Sequence, residues 1–330
     1  MMDVAARAGV SQATVSLVLN GSPGARLSDG TRERVREAAR ELGYTLVRRG
    51  QKRAAQENRL IGFVADELTS DPWMALAFDG AREKALEYGI TVCLAVTRGE
   101  HEREDVVFDK LMEQQPIGLI YGTILTRRIE PPRVFRDVPS VLLNCYERKR
   151  SLPSVVPGDL LSGRAATERL IRAGRRRIGM INGQEGIDTT RDRLRGYRQA
   201  LSSNDIPYDP ALVYPGNWEP SAGHEGTMAF MQLPEPPDAI FCANDMMAVG
   251  CYDALKELGY RIPEDVAVVG FDDREIAQFM RPPLTTFILP HYEMGAIAAE
   301  MLIDHAGGLN SLRDQMKVEC ALVDRDSVAT

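Results

Sequence analysis

DVAARAGVSQATVSLVLNG, residues 3–21, is the stretch that decides how the N-terminal part of this chain folds. Small and apolar residues recur at helical spacing on both sides of Gly9, which supplies the positive φ of a tight turn. Asp3 is expected to cap the first helix and Ser11 the second. The pattern therefore predicts two short helices joined by a glycine turn, as in a helix-turn-helix motif.

A third helix is expected from Ser28 to Gly43, with an inner face formed by Val35, Ala38, Ala39 and Leu42. On the second helix, the spacing turns Val15, Val18 and Leu19 toward the first helix. The opposite face then carries Gln12, Ala13, Ser16 and Leu17. Spacing alone leaves an alternative open, because any small helical hairpin has the same pattern.

The identities of these residues are more specific evidence than their spacing. DVAARAGVSQATVSLVLNG followed by LSDGTRERVREAARELGY closely resembles the DNA-binding headpiece of the lactose-repressor (LacI/GalR) family of bacterial transcription regulators. The resemblance implies that Gln12 and Ala13 read base edges in the major groove of double-stranded DNA. It also implies phosphate contacts from a set of polar residues, namely Ser11, Thr14, Ser16 and Asn20.

Leu17 is a departure from the family pattern, which usually has an arginine at this position. A leucine cannot make the bidentate contact to guanine that arginine makes, although it can touch a thymine methyl group. The operator sequence of this protein is therefore expected to differ from the common family site.

Charge is distributed unevenly along the chain. The net charge of the 330 residues is −7, but residues 1–59 carry +5 and the remainder carries −12. The basic part coincides with the motif that would meet phosphates, which favours nucleic acid as a partner. Arginines on a solvated helix face are the alternative explanation.

Composition is that of a soluble globular protein, with 44% hydrophobic and 26% charged residues. No apolar run is long enough to span a bilayer and no leader precedes the motif, so a cytoplasmic protein without a membrane partner is expected. The five cysteines are scattered without metal-ligand spacing, which indicates reduced thiols and neither a disulfide framework nor a metal site.

Residues 45–59, TLVRRGQKRAAQENR, are basic and nearly free of large apolar side chains, which indicates a linker between a headpiece at 1–44 and a domain at 60–330. In the family this segment forms a hinge helix that wedges a leucine into the minor groove. The usual wedge position here is Arg53, and Leu46 and Gly50 also depart from the pattern. We expect Arg48, Arg49 and Arg53 to contact phosphates or a narrow minor groove instead.

From residue 60 onward, buried strands alternate with amphipathic helices, which predicts an α/β fold with parallel sheets. RRIGMING, AIFCANDMMAVG, VAVVGFDD and PPLTTF resemble landmarks of the same family's effector domain, which has the type I periplasmic-binding-protein fold. The resemblance implies two lobes, one of residues 60–156 and 288–316 and the other of 157–287 and 317–330. It also implies a small effector bound between them.

Ligands of such sheets bind at the carboxyl ends of the strands, where polar side chains follow the predicted strands. The candidates of this kind are Asp66, Thr123, Asn144, Trp218, Asn244 and Asp272. The resemblance adds Arg193, as a clamp with Asn244 and Asp272, and Trp73 as a second aromatic wall. Strand capping is the alternative role for Asn244 and Asp272, and core packing for Trp218.

No catalytic constellation, metal spacing or phosphate loop accompanies these residues, so we expect neither an enzyme nor a cofactor. The sequence predicts a homodimeric, operator-binding transcription regulator, with repression the expected sign, controlled by a sugar or related polyol. Apolar residues on the helices after Trp73 and Asp245 suggest the dimer surface. A solute-binding receptor without DNA function is the main rival, and an α/β enzyme the second.

Overall fold

The computed structural model describes residues 2–20, 27–42, 59–69, 72–98, 100–309 and 315–329. Three helices form the headpiece: α1 Met2–Ala8, α2 Gln12–Asn20 and α3 Asp29–Glu41. Ser11 caps α2, because its Oγ accepts the N–H of Thr14 at 3.0 Å, and Ser28 caps α3 through the N–H of Thr31. Gly9 adopts a φ of +66° between α1 and α2. The predicted glycine turn and the predicted caps at Ser11 and Ser28 are confirmed.

A small apolar core holds the three headpiece helices together, with Val4, Val15, Val18 and Val35 among its buried side chains. One detail of the prediction is wrong, and a second lies outside the described residues. The first helix begins at Met2, so Asp3 lies within it and not at its N-cap. The third helix ends at Glu41, and the predicted stop at Gly43 falls outside the described residues.

The chain divides into two compact units, the first of which includes the headpiece. Unit 1 comprises Met1–Pro157 and Pro290–Val318, and unit 2 comprises Gly158–Leu289 and Glu319–Thr330. Each unit from residue 60 onward is built on a parallel sheet with helices packed against it, so the predicted fold class is confirmed.

The sheet of unit 1 has six parallel strands in the order β11-β5-β4-β3-β1-β2. The strands are β1 Leu60–Ala65, β2 Thr91–Val96, β3 Gly118–Ile129, β4 Ser140–Glu147, β5 Ser154–Pro157 and β11 Gln315–Val318. The helices are α4 Trp73–Leu86, α5 His101–Met112 and α10 His291–Ala306. β1 reads as an unbroken apolar run because parallel strands are covered on both faces.

The sheet of unit 2 has four parallel strands in the order β7-β6-β8-β9. The strands are β6 Ile178–Ile181, β7 Val213–Tyr214, β8 Ala239–Cys242 and β9 Ala267–Val269. The helices are α6 Asp159–Arg172, α7 Asp188–Ser203, α8 Pro220–Met231 and α9 Asp245–Glu257. A two-stranded antiparallel ribbon of β10 Thr286–Phe287 and β12 Leu322–Val323 completes the unit.

Several elements were not anticipated. The sequence assigned no strand to β5 and no helix to α10, whose apolar and small residues lie on all sides because it packs closely against α4 and the sheet. The strand β3 continues past the predicted end at Thr123 to Ile129, through a register shift between Gly122 and Arg127. That irregularity shapes part of the candidate site.

The helix after Asp245 was expected to offer apolar side chains to a second subunit. Met247 and Tyr252 are instead buried in the core of unit 2. These two side chains are therefore not available as surface, and the expectation was wrong for them. Met246 and Val249 of the same helix are partly exposed, and for them the dimer surface stays a prediction.

Candidate functional site

The exposed face of α2 differs from the expected one. Gln12 is exposed and Ser16 is partly exposed, whereas the side chain of Leu17 is only 4% exposed. The expectation of an exposed leucine on the reading face is therefore wrong. Ala13 and Asn20 lie on α2, but their side chains fall outside the described residues.

Ser11 and Thr14 form a local pair at the start of α2. Their hydroxyl oxygens are 3.0 Å apart, and Ser11 Oγ also accepts the N–H of Thr14. Both hydroxyls are thus engaged in capping the helix, which fixes its N-terminus. The basic linker residues Arg48, Arg49 and Arg53 lie outside the described residues.

Arg193 is the centre of the candidate site in unit 2. It extends from α7 and is 2% exposed, with its Nε 2.9 Å from Oδ1 of Asp159. A second guanidinium nitrogen also contacts Asp159 at 2.9 Å, and the third donates to the carbonyl of Ala243. The guanidinium carbon lies 3.5 Å from the centroid of the Phe271 ring, as in a cation–π contact.

The partner of Arg193 was not found from the sequence. Asp159 is the first residue of α6, and its second oxygen accepts the hydroxyl of Thr189 at 3.1 Å. Burial raises the pKa of Asp159, while the Arg193 guanidinium acts in the opposite direction. The sequence did contain a signal, because Asp159 directly follows the apolar stretch SVVPG. The helix was predicted to start only at Gly163, so Asp159 was not placed on it.

Asn244 and Trp218 are joined directly. The side-chain oxygen of Asn244 accepts the N–H of Met247 at 2.8 Å, which caps α9, and its nitrogen donates to the carbonyl of Trp218 at 2.9 Å. Trp218 has a φ of +72°, and its ring lies so close to Gly183 that a Cβ there would overlap with it. The indole N–H is buried and has no hydrogen-bond partner among the described residues.

Asp272 follows β9 and completes this edge of the sheet. Its φ is +114°, outside the range that most residues adopt, and its backbone N–H donates to Phe287 at 2.8 Å. One carboxylate oxygen lies 3.6 Å from Nε of Arg274. Neighbouring Asp245 is fully buried, and burial, reinforced by the charge of Asp272, raises its pKa well above the ordinary value.

The candidate residues of unit 1 hold one another. Asp66 accepts the N–H of Ile124 and a guanidinium N–H of Arg127, each at 3.0 Å. Asn144, with a φ of +56°, donates to the carbonyl of Thr123 at 2.8 Å and accepts the hydroxyl of Thr126 at 2.6 Å. These bonds fix the irregular part of β3.

One further hydrogen bond completes the unit 1 group, and Trp73 lies apart from it. The hydroxyl of Thr123 donates to the carbonyl of Asn144 at 3.0 Å. Trp73, the expected aromatic wall, is buried and stacks on His291, with ring centroids 5.7 Å apart and planes inclined by 25°. The structure therefore brings Asp66, Thr123 and Asn144 together and places Trp73 against α10.

No group of three or more His, Cys, Asp or Glu side chains in the described ranges is arranged to hold a metal ion. Within the same ranges, no helix has the length and apolar character needed to cross a bilayer.

Comparisons with known proteins place these features in a family. Residues 1–45 match the model of bacterial regulatory proteins of the lacI family, and residues 167–328 match that of periplasmic binding protein-like domains. The chain is 33% identical to the HTH-type transcriptional repressor CytR of Escherichia coli (strain K12), over 99% of this chain and 95% of the relative.

Solved structures agree with the sequence matches. A lac repressor dimer bound to operator and the anti-inducer ONPF is 28% identical, with a TM-score of 0.70 over 99% of this chain and 98% of that one. A complex of the transcriptional regulator CelR with cellobiose is 31% identical, with a TM-score of 0.68 over 98% of each chain. The chain therefore belongs to the lacI family of DNA-binding bacterial transcription regulators.

Proposed function

We propose that this protein is a cytoplasmic, homodimeric repressor whose affinity for operator DNA changes when a sugar-like effector binds. The observation that carries the proposal is the presence in one chain of two features. One is the helix-turn-helix of α1 and α2, and the other is the sheet edge at which Arg193, Asn244 and Trp218 meet. The first supplies DNA recognition, and the second supplies polar groups for a small ligand.

The polar groups in unit 2 suit hydroxyl-rich ligands. A guanidinium has five N–H groups, and the described contacts of Arg193 engage three of them. The indole N–H of Trp218 is a further donor, and the carboxylate of Asp272 is an acceptor. Donors and acceptors on adjacent strand ends match vicinal hydroxyls, which both donate and accept. The relative solved with cellobiose supports the same ligand class.

Unit 1 contributes to the proposal in another way. Hydrogen bonds fix the backbone at residues 123–127 and come from the side chains of Asp66, Thr123 and Asn144. The polar backbone groups of this segment are therefore held in one arrangement. Trp73 offers an aromatic ring for a sugar face. Contact of the effector with both units stays a prediction.

On the DNA side, we propose that Gln12 and Ala13 read base edges. Phosphate contacts are assigned to Ser11, Thr14, Ser16 and Asn20, and to Arg48, Arg49 and Arg53 of the linker. A buried Leu17 offers little surface to a base, so Gln12 is expected to carry most of the side-chain recognition. The relative bound to operator as a dimer supports binding to two half-sites.

Catalysis is not part of the proposal. The lacI family consists of transcription regulators, and the polar residues of unit 2 are held by internal hydrogen bonds and ion pairs. We therefore propose ligand binding without turnover and without a cofactor.

The test begins with selection of duplexes bound by the full chain from a random-sequence library. The proposal expects enrichment of a palindromic site and a salt-dependent affinity for it. Gln12→Ala should relax base preference at one symmetric pair of positions, at a cost of about 1–3 kcal/mol. Arg34→Ala, an exposed change on α3, is the matched control and should leave the preferred sequence unchanged.

The effector is then sought by thermal shift of the full chain against a panel of sugars, polyols and nucleosides. The proposal expects at least one sugar or polyol to raise the melting temperature and to change operator affinity by about 5- to 150-fold. A chain that binds such a ligand but prefers no duplex would be a solute receptor instead. Turnover of any panel member would overturn the assignment as a regulator without catalysis.

A further inference from the structure

Unit 1 has a strongly basic surface around the ends of β3 and β4. Residues 127–150 contain seven arginine or lysine residues and three acidic residues, a net charge of +4, whereas the rest of residues 60–330 carries −16. Arg127 pairs with Asp66. The other six cations are exposed and are called the basic patch here: Arg128, Arg133, Arg136, Arg148, Lys149 and Arg150.

Strand pairing brings two segments of the basic patch together. Ile129, next to Arg128, lies opposite Glu147 in the parallel pairing of β3 with β4. The turn at 148–150 follows Glu147 directly, and neighbouring strands are about 4.8 Å apart. Arg128 is therefore adjacent to the turn that carries three of the other cations.

A short 3₁₀ helix, Arg133–Arg136, carries the remaining two cations of the basic patch. Its Phe135 is buried in a small core of unit 1, against which Ile129 and Leu152 also pack. Side chains three positions apart lie on the same side of a 3₁₀ helix, so its two exposed arginines face one way. One small core thus supports all three basic segments.

The turn at 148–150 is held in shape by the acidic residue that precedes it. A carboxylate oxygen of Glu147 accepts the N–H of Ser151 at 3.0 Å and also the hydroxyl of Ser151. The carbonyl of Glu147 accepts the N–H of Arg150 at 3.1 Å, and Arg150 has a φ of +50°. The carboxylate nearest in sequence therefore bonds to the end of the turn and not to its cations.

The cations of the basic patch have no acidic partner of their own. Within the described part of the chain, none of the six side chains forms an ion pair or a hydrogen bond. Three exposed arginines of unit 2 do pair with a carboxylate, namely Arg172, Arg195 and Arg261. Unpaired cations on one surface repel one another, so an anionic partner would be stabilised there.

We propose that the basic patch binds an acidic segment of a partner protein, with carboxylates on neighbouring residues. Five of the six cations are arginines, whose planar guanidinium groups match carboxylates in bidentate pairs. An extended acidic chain places successive residues about 3.3 Å apart, so a short run of them meets several of these cations at once.

Nucleic acid fits the basic patch less well. A duplex carries about one negative charge per 1.7 Å of its length, and it would extend over a domain whose other residues carry −16. A single strand binds by stacking its bases on exposed aromatic rings. In residues 118–150, Tyr121 and Phe135 are buried and Tyr146 is only partly exposed.

The basic patch is also distinct from the proposed DNA contacts. The linker joins unit 1 at Leu60, the first residue of β1. Because β1 runs parallel to β3 and β4, Arg128 and the turn at 148–150 lie at the opposite end of the sheet. The inference depends on neither the operator nor the effector, so it can be tested without either.

The experiment uses the full chain and a fluorescent peptide of ten glutamates, followed by fluorescence anisotropy at low ionic strength. A peptide of ten glutamines is the matched probe, because it has the same length without the charge. We expect saturable binding of the glutamate peptide that weakens as salt is added, and no binding of the glutamine peptide. Absence of glutamate-peptide binding, or equal binding of the two peptides, would overturn the proposal.

Two triple variants with the same change of charge locate the binding surface. R148Q/K149Q/R150Q should weaken binding of the glutamate peptide about 3- to 100-fold, the loss expected for three exposed ion pairs. R172Q/R195Q/R261Q, the control in unit 2, should weaken it less than about twofold, because these charges lie outside the basic patch. All six positions are exposed, and thermal melting by circular dichroism checks that both variants fold. Equal losses in the two variants would mean unspecific attraction and would overturn the site.

A third variant separates the basic patch from the basic linker. R48Q/R49Q/R53Q should weaken binding of a random-sequence duplex and change the peptide affinity less than about twofold, whereas R148Q/K149Q/R150Q should do the reverse. Loss of peptide binding in the linker variant alone would overturn the proposal. Equal losses of duplex affinity in the two variants would assign the basic patch to nucleic acid and would also overturn it.

Discussion

Polar residues follow the strands of the parallel sheet in both units, but the contacts at these strand ends differ between the units. In unit 1, the polar residues at the strand ends bind the backbone of residues 123–127 and one another. In unit 2, the carbonyl of Ala243 at the end of β8 and the carboxylate of Asp159 hold a buried cation, the guanidinium of Arg193. The edge of unit 1 also has an ion pair, between Asp66 and Arg127, but the arginine is half exposed. A polar residue after a strand therefore indicates a constructed edge of the sheet, and only the contacts show whether that edge contains a fully buried ion pair.

The largest expected effect comes from breaking the charged edge. Asp159→Ala leaves Arg193 buried without its counter-ion, which typically costs about 3–5 kcal/mol of the free energy of unfolding. Chemical denaturation of the full chain at fixed protein concentration would measure it. Glu168→Ala on the same helix removes surface ion pairs with Arg164 and Arg172 and should cost less than about 1 kcal/mol. Equal losses for the two variants would contradict the importance of the buried pair.

The neutral hydrogen bonds of Asn144 in unit 1 should contribute less than the buried ion pair. Asn144→Ala removes its bonds to the carbonyls of Thr123 and Ile124 and to the hydroxyl of Thr126, leaving buried polar groups unpaired. We expect a loss of about 2–3 kcal/mol, measured in the same denaturation series. Leu125→Ala, an exposed change in the neighbouring strand β3, is the control. A loss above that of Asp159→Ala would reverse the comparison.

A third change tests the helix cap in unit 2. Asn244→Ala removes the cap of α9 and should cost about 1 kcal/mol of stability. The same side chain donates a hydrogen bond to the carbonyl of Trp218. The variant should therefore also lower the affinity for the effector that thermal shift identifies. Asn244→Asp, which retains the capping oxygen, should recover most of the stability. Unchanged effector affinity in Asn244→Ala would remove this residue from the site.

A fourth change should have the opposite sign. The Thr190 hydroxyl lacks a partner, so Thr190→Val is expected to be neutral or to stabilise the chain by up to about 1 kcal/mol. The matched control is Thr167→Val. The hydroxyl of Thr167 donates to the carbonyl of Gly163 at 2.9 Å, so its removal should lower the melting temperature. Calorimetric melting of both variants decides the sign. A clear loss in Thr190→Val would mean that its hydroxyl is satisfied.

The smallest effect concerns a surface pair and pH. Hydrogen bonds from Arg261 lower the pKa of Asp265 from 3.8 to about 2. A lowered pKa in the folded state stabilises the chain above pH 3.8, and that contribution is lost as the pH falls toward 2. Asp265→Asn should therefore flatten the decline of the melting temperature between pH 4 and pH 2. An unchanged decline would show that this exposed pair contributes nothing to acid stability.

Much of the fold was predictable, because its signals are local. Gly9, Ser11 and Ser28 punctuate the headpiece through their own backbone and side-chain bonds. The buried strands β1, β6 and β8 are unbroken apolar runs, as parallel strands covered on both faces must be.

The elements that were missed lack a local signal. β5 has four residues, and α10 has no polar stripe because it is enclosed on several sides. For the candidate site, the family resemblance indicated Arg193 but not its partner Asp159, which lies 34 residues earlier in the chain. Burial of Leu17 was likewise invisible to helical spacing, since spacing alone does not show what covers a side chain.

The central claim is that DNA binding and effector binding are coupled in one chain, and a linkage experiment tests it most directly. The operator affinity of the full chain is measured by fluorescence anisotropy with and without the effector sugar, and the sugar affinity by calorimetry with and without operator. The account predicts the same fold-change, between about 5 and 150, in both measurements. Two independent affinities, each unaffected by the other ligand, would contradict it.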